Sequence, residues 1–166
     1  MAKKSRKMIF VEEEDVETQV FDWGRMAWLS EPWVTRADRF SAGIVTLEPG
    51  KGHTRHSHPG VEEILYVLEG KGIQRVEVEG RPVERGVGPG VLIHIPADWM
   101  HSTVNTGKRP MRIFAVYSPH GPETELRRMK GVKIEPPASK AGVKSSRRRR
   151  ELSKLRFAQR PRRRAK

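Results

Sequence analysis

Two stretches decide how this chain folds: GKGHTRHSHPGVEEILYVLEG, residues 50–70, and GVLIHIPADWMHSTVN, residues 90–105. Between their glycines and prolines lie β-branched and aromatic residues that partly alternate with polar ones, the period of a half-buried strand. His56 and His58 stand two apart, which on a strand places both imidazoles on one face. Pro59-Gly60 supplies a turn, and Glu63 follows beside them on the next strand. His101 belongs to the second stretch, so the fold has to bring a distant strand back to complete the set. Three imidazoles and a carboxylate suit one divalent transition metal ion, Mn, Fe, Co, Ni, Cu or Zn, and a six-coordinate ion would keep about two positions open for water or substrate. The chain has no cysteine, which excludes a disulfide framework and a thiolate site.

The same punctuation continues outward from these stretches. FSAGIVTLEPG, IQRVEVEG, RPVERGVGPG and MRIFAVYSP are each cut by Gly or Pro before a helix could form, an all-β pattern suited to a barrel or sandwich. Residues 8–33 read as short strands broken at Gly24 and Pro32. GPETELRRMKG, residues 121–131, predicts one or two helical turns, with Pro122 near the start and Gly131 past the end. KIEPPASKAG then reads as a linker. The expected organisation is a flexible basic leader over residues 1–7, one β-barrel domain over 8–137 with its core motifs in 41–119, and a basic, disordered tail over 138–166. At 166 residues the chain is long enough for one core and too short for two ordinary domains.

The formal charge of +13 points to nucleic acid until its distribution is examined. Residues 139–166 hold thirteen Lys or Arg against the single acid Glu151, a net of +12, which leaves +1 for the remaining 138 residues. A nearly neutral body with a cationic appendage predicts non-specific contact with nucleic acid or another polyanion through residues 139–166 only. No helix-turn-helix or zinc-finger pattern supports sequence-specific reading. The apolar run ILYVL, residues 64–68, falls far short of the roughly 18 residues a membrane span requires, and no apolar signal core follows the basic start. The expectation is a cytoplasmic protein without a membrane span.

The two opening stretches closely resemble the paired motifs of the cupin superfamily. Gly50, His56, His58, Glu63 and Gly70 fall at the spacing of the first motif, and Gly90, Pro96, His101 and Asn105 at that of the second. The resemblance covers about residues 41–119 and implies a double-stranded β-helix, a jelly-roll barrel often assembled as a homodimer. It implies His56, His58, Glu63 and His101 as metal ligands, with the glycines, Pro96 and Asn105 setting shape. One position departs: Asp98 stands where the family usually has glycine, and has to adopt a left-handed turn that glycine enters more easily. The fold does not choose a reaction.

Several residues compete for roles. Glu62 adjoins Glu63, but strand neighbours face opposite sides, and the family spacing selects Glu63. His53, His94 and His120 fall outside the motifs and are expected at the surface or behind the ligands. Tyr66, Trp99, Phe114 and Tyr117 read as core or interface aromatics, and Trp23, Trp28 and Trp33 as a packed flap or subunit contact. The leading functional expectation is a metal-dependent enzyme acting on a small oxygenated metabolite, a sugar derivative or organic acid, by isomerisation, decarboxylation or lyase chemistry. An Fe(II) dioxygenase is one alternative, and a non-catalytic binding module localised by its tail is another.

Overall fold

In a computed structural model, residues 8–138 are described. The basic leader and, apart from Ala138, the cationic tail with its expected disorder and polyanion contact lie outside the described residues.

A 3₁₀ turn at Glu13–Asp15 precedes eleven strands: β1 Thr18–Phe21, β2 Gly24–Ser30, β3 Ser41–Leu47, β4 Gly52–His56, β5 Glu62–Glu69, β6 Gly72–Val78, β7 Arg81–Val87, β8 Leu92–Ile95, β9 His101–Asn105, β10 Met111–Ser118 and β11 Lys133–Glu135, with the helix α1, Pro122–Arg128, before the last. They form two antiparallel sheets, ordered β11-β1-β2-β3-β10-β5-β8 and β4-β9-β6-β7. This is the all-β double-stranded β-helix expected, with one short C-terminal helix. Among the described residues, no helix is long and apolar enough to cross a membrane.

Period-2 alternation builds the core. On β5, Glu63, Leu65 and Val67 are buried, while Glu62, Ile64 and Tyr66 are exposed. On β10, Met111, Ile113, Ala115 and Tyr117 are buried. The register sets these rows against each other: Ile113↔Val67, Ala115↔Leu65 and Tyr117↔Glu63. Each large apolar side chain taken from water into this interior contributes about 1.5–3 kcal/mol relative to exposure. The three N-terminal tryptophans, grouped in the sequence, separate here. Trp28 is wholly buried in the core and Trp33 is 71% exposed, whereas Trp23 stacks on Phe21 with ring centroids 4.4 Å apart.

Two motif residues show why their identities matter. Gly70 has φ +83, and a Cβ there would lie 2.8 Å from Met111 Cα, so only glycine turns the chain so close to β10. Asn105 is wholly buried. Its Nδ2 donates to the carbonyls of Leu47 (2.9 Å) and Arg109 (2.8 Å), and its Oδ1 accepts from the Gly107 amide (2.8 Å), so one side chain closes the loop between β9 and β10.

The C-terminal end departs from the linker expected after the helix. Lys133–Glu135 is a strand, pairing with β1 through Thr18↔Glu135, Gln19↔Ile134 and Val20↔Lys133. Three residues beside two prolines carry no local strand signal, and their pairing comes from the hydrogen-bonding edge that β1 offers. The helix ends at Arg128, before the Gly131 used to mark its stop. It is fastened by Arg127, whose Nη1 and Nη2 donate to the two oxygens of buried Glu31 at 2.8 and 2.6 Å while its Nε donates to Glu17.

Candidate metal centre

His56 is the last residue of β4 and His101 the first of β9, and the two are cross-strand partners with ring centroids 4.3 Å apart. A register shift between His53 and His56 turns the end of β4. His58 lies beyond that end, in the loop before β5, rather than on the strand where the two-residue spacing placed it. The loop still returns its imidazole to the others, 5.0 Å from the ring of His56 and 5.4 Å from that of His101. The candidate ligand atoms of His56, His58 and His101 all lie within 4.8 Å of one another.

Glu63 approaches from the facing sheet. Its Oε2 lies 2.9 Å from His101 Nε2 and 3.7 Å from His58 Nε2. Strand alternation points Glu63 inward and Glu62 to the surface. The cis-proline turn after β10 and the loops at 57–61 and 96–100 lie at this end of the barrel. Asp98 has φ +69, the left-handed geometry the motif requires, and its Oδ1 accepts a hydrogen bond from the Gly60 amide at 3.0 Å. A side chain in place of glycine thus ties the loop carrying His58 to the loop leading to His101.

Hydrogen bonding fixes which nitrogens face the centre. His56 Nδ1 lies 2.7 Å from the Thr54 carbonyl, and His101 Nδ1 lies 2.9 Å from the Trp99 carbonyl. A carbonyl only accepts, so both Nδ1 atoms carry a proton and the Nε2 atoms are the ones turned to the centre, a lone pair becoming free on His101 only when that imidazole is neutral. His58 Nε2, His101 Nε2 and Glu63 Oε2 are buried with no hydrogen-bond partner of adequate geometry. Buried polar atoms left this way are costly unless something else satisfies them. Three converging orphans of nitrogen and oxygen type fit a divalent transition metal ion.

The electrostatics agree with that fit. Burial depresses the His58 pKa to about 4, working against the attraction of Glu63 and together with repulsion from His56 and His101. Burial also lowers His56, helped by His101. Burial alone would lower His101, but Glu63 outweighs it and the net shift is upward. For Glu63 burial acts to raise the pKa, and His101, His58 and the Tyr117 hydroxyl together bring it below the ordinary carboxylate value. At neutral pH His56 and His58 are therefore neutral and Glu63 is an anion, the protonation states that ligation requires.

Two residues at the centre escaped the sequence. Tyr117 is buried beside Glu63, and its ring lies edge-on to His58 at 5.3 Å. The alternation of β10 places it inside, but its pairing with Glu63 depends on a register that no local pattern carries. His53, expected at the surface or behind the ligands, is edge-on to Trp23 at 4.3 Å and to His56 at 5.7 Å, with its pKa lowered to about 4, chiefly by burial. Behind His101 on β9, Thr103 donates to Gln74 Oε1 at 2.6 Å, a buried polar row that braces the strand. The other candidates fall away from the centre: His94 is exposed on the outer face opposite Ile64, and His120 pairs with Glu123. Tyr66 points outward, Phe114 is its cross-strand neighbour there, and Trp99 packs partly buried against the core.

Comparison with known proteins finds similarity to one domain family and to several proteins of different description. Residues 43–117 match the Cupin domain. Glucose-6-phosphate isomerase of Thermococcus kodakarensis is 40% identical over 68 residues, covering 40% of this chain and 35% of the isomerase. The match thus spans about a third of the length of such isomerases. Polyketide synthase CurC of Streptomyces cyaneus is 28% identical over 135 residues, 81% of this chain and 83% of that protein. Among solved structures, a predicted oxalate decarboxylase from Thermotoga maritima superimposes with a TM-score of 0.56 at 23% identity, covering 68% of this chain and 100% of that one. At that identity the likeness concerns the fold.

Proposed function

Since residues 43–117 form a cupin domain that holds a candidate three-histidine metal site, we propose that the chain is a metal-dependent enzyme acting on a small oxygenated metabolite, by isomerisation, decarboxylation or lyase chemistry. The observation that carries this reading is the convergence of His58 Nε2, His101 Nε2 and Glu63 Oε2, buried and without hydrogen-bond partners.

His56, His58, His101 and Glu63 would hold the ion, which when bound supplies a Lewis acid able to polarise a substrate carbonyl or carboxylate. The protein's part is orientation and exclusion of water. The Thr54 and Trp99 carbonyls hold Nδ1 of His56 and His101, and Ile95, the cross-strand partner of Glu63, belongs with Leu65 to the buried apolar core. His53 remains a neutral imidazole near the centre, its pKa lowered to about 4 chiefly by burial. Sugar isomerisation leads the list of reactions because the segment shared with the Thermococcus kodakarensis isomerase is 40% identical.

Elemental analysis of full-length protein purified without a histidine tag should find about one transition metal ion per chain. Assays with hexose phosphates and short organic acids, run in air and under nitrogen, then separate isomerase, decarboxylase and lyase activity from Fe(II)-dependent oxygen uptake. A chain that carries no metal and takes none up on titration would overturn the proposal and favour a non-catalytic binding module.

A further inference from the structure

We propose that Tyr117 is a positioning residue of the metal centre, holding Glu63 through its hydroxyl and His58 through its ring. The inference rests on the metal-binding reading above and adds a residue that lies outside both cupin motifs.

Tyr117 and Glu63 are direct cross-strand partners on the inner face of the larger sheet, and both are buried, at 3% and 2% exposure. Facing pairs of this kind bring side chains into contact without any loop between them. The phenol hydroxyl faces the Glu63 carboxylate across this register and helps to hold the carboxyl pKa down. A carboxylate only accepts, so in a hydrogen bond between them Tyr117 is the donor. The other end of the interaction is directional: Glu63 Oε2 faces His101 and His58. A donor on the sheet side of the carboxylate selects the rotamer that aims this oxygen at the imidazoles.

Packing alone does not call for the hydroxyl. Tyr117 follows Met111, Ile113 and Ala115 along an apolar row, and its ring sits 5.5 Å from that of Trp28. Phenylalanine would fill that space, and a hydroxyl buried there costs free energy unless it is bonded. His58, held by no strand, is where an outside brace matters most. The Tyr117 ring meets it edge-on at an interplanar angle of 84°. One side chain thereby meets two neighbouring candidate ligands.

The test compares full-length wild type, Tyr117→Phe, Glu63→Gln and the double variant, titrated with Co(II) against a chromophoric chelator while the visible Co(II) bands are recorded. Tyr117→Phe should weaken Co(II) binding about 10-fold or more, the usual effect of losing a residue behind a ligand, and should shift the Co(II) bands. In the Glu63→Gln background the same change should alter affinity less than about two-fold, since the hydroxyl acts through that carboxylate. Equal affinity of wild type and Tyr117→Phe would overturn the proposal, as would an equal loss in both backgrounds. A metal-free Tyr117→Phe melting more than about 10 °C below wild type would assign the hydroxyl to folding and also overturn it. Wild type failing to take up Co(II) would instead remove the metal-binding reading on which it rests.

Discussion

The molecule buries two clusters of charged side chains, and they differ in whether their polar atoms satisfy one another. Around Arg127 the charged groups have counterparts, and the unpaired buried atom beside them is the neutral Gln19 Oε1: both oxygens of Glu31 accept from the guanidinium, Glu17 accepts from its Nε, and Glu123 accepts from the Gly121 amide at 2.7 Å and pairs with His120. Around His101 the short approaches leave two imidazole nitrogens and a carboxylate oxygen unpaired. Burial is equally deep in both, Glu31 and Glu63 each being 2% exposed. A paired cluster fastens the chain, whereas an unpaired one leaves its lone pairs for a guest.

The largest effect that would break this comparison lies at His101. His101→Ala should weaken transition-metal binding by about 1000-fold, since it removes one of the four candidate ligands outright. Isothermal titration with Mn(II) or Co(II) reads this directly, and retention of wild-type affinity would show that the imidazoles merely pack. The converse substitution, Arg127→Met, should lower stability by about 3 kcal/mol, because Glu31 is left as a buried charge without its partner. Metal affinity should stay within about two-fold of wild type. Guanidinium denaturation and metal titration of the same variant check both halves, and a variant that lost metal but kept stability would erase the distinction between the clusters.

The smallest expected effect sharpens the contrast by pH. In the metal-free protein the folded pKa values of His53 and His58 are about 4 against an ordinary 6.5, and His56 is lowered as well. A depressed imidazole stays neutral when folded, so its contribution is whole above pH 6.5 and drains as pH falls toward 4, where the unfolded chain takes up protons that the folded chain refuses. His101, shifted upward, opposes part of this. Stability of the metal-free protein should therefore fall as pH drops from 6.5 to 4. In the Arg127 cluster burial raises Glu31, despite the opposing pull of Arg127. Burial also acts to raise Glu123, but hydrogen bonds, led by the Gly121 amide, bring it below its ordinary value, so the two carboxylates oppose each other. Urea melts at stepped pH should therefore show an acid sensitivity that His53→Phe reduces.

What the sequence made legible was local. Glycine and histidine spacing within residues 50–70 and 90–105 brought out the four candidate ligands, and period-2 alternation together with the motif spacing separates Glu63 from Glu62. The strand placement of His58 failed because a register shift ends β4 at His56, and spacing carries no information about where a strand stops. Tyr117 and the Arg127 clamp were invisible for a different reason. Their partners lie far along the chain, with Arg127 and Glu31 separated by 96 residues, and only the assembled sheets bring them together. β11 was hidden in the same way, since its strand character belongs to the pair it makes with β1.

That last pairing has a consequence for how the domain opens. Because Lys133–Glu135 lies along Thr18–Phe21 and Arg127 grips Glu17 and Glu31 on either side of it, the first and last strands of the described chain share one set of fastenings. Peeling away the C-terminal strand strips β1 of its outer partner and leaves it held by β2 alone, so opening at the C-terminal end exposes the amides of β1 that face it and weakens the N-terminal end as well.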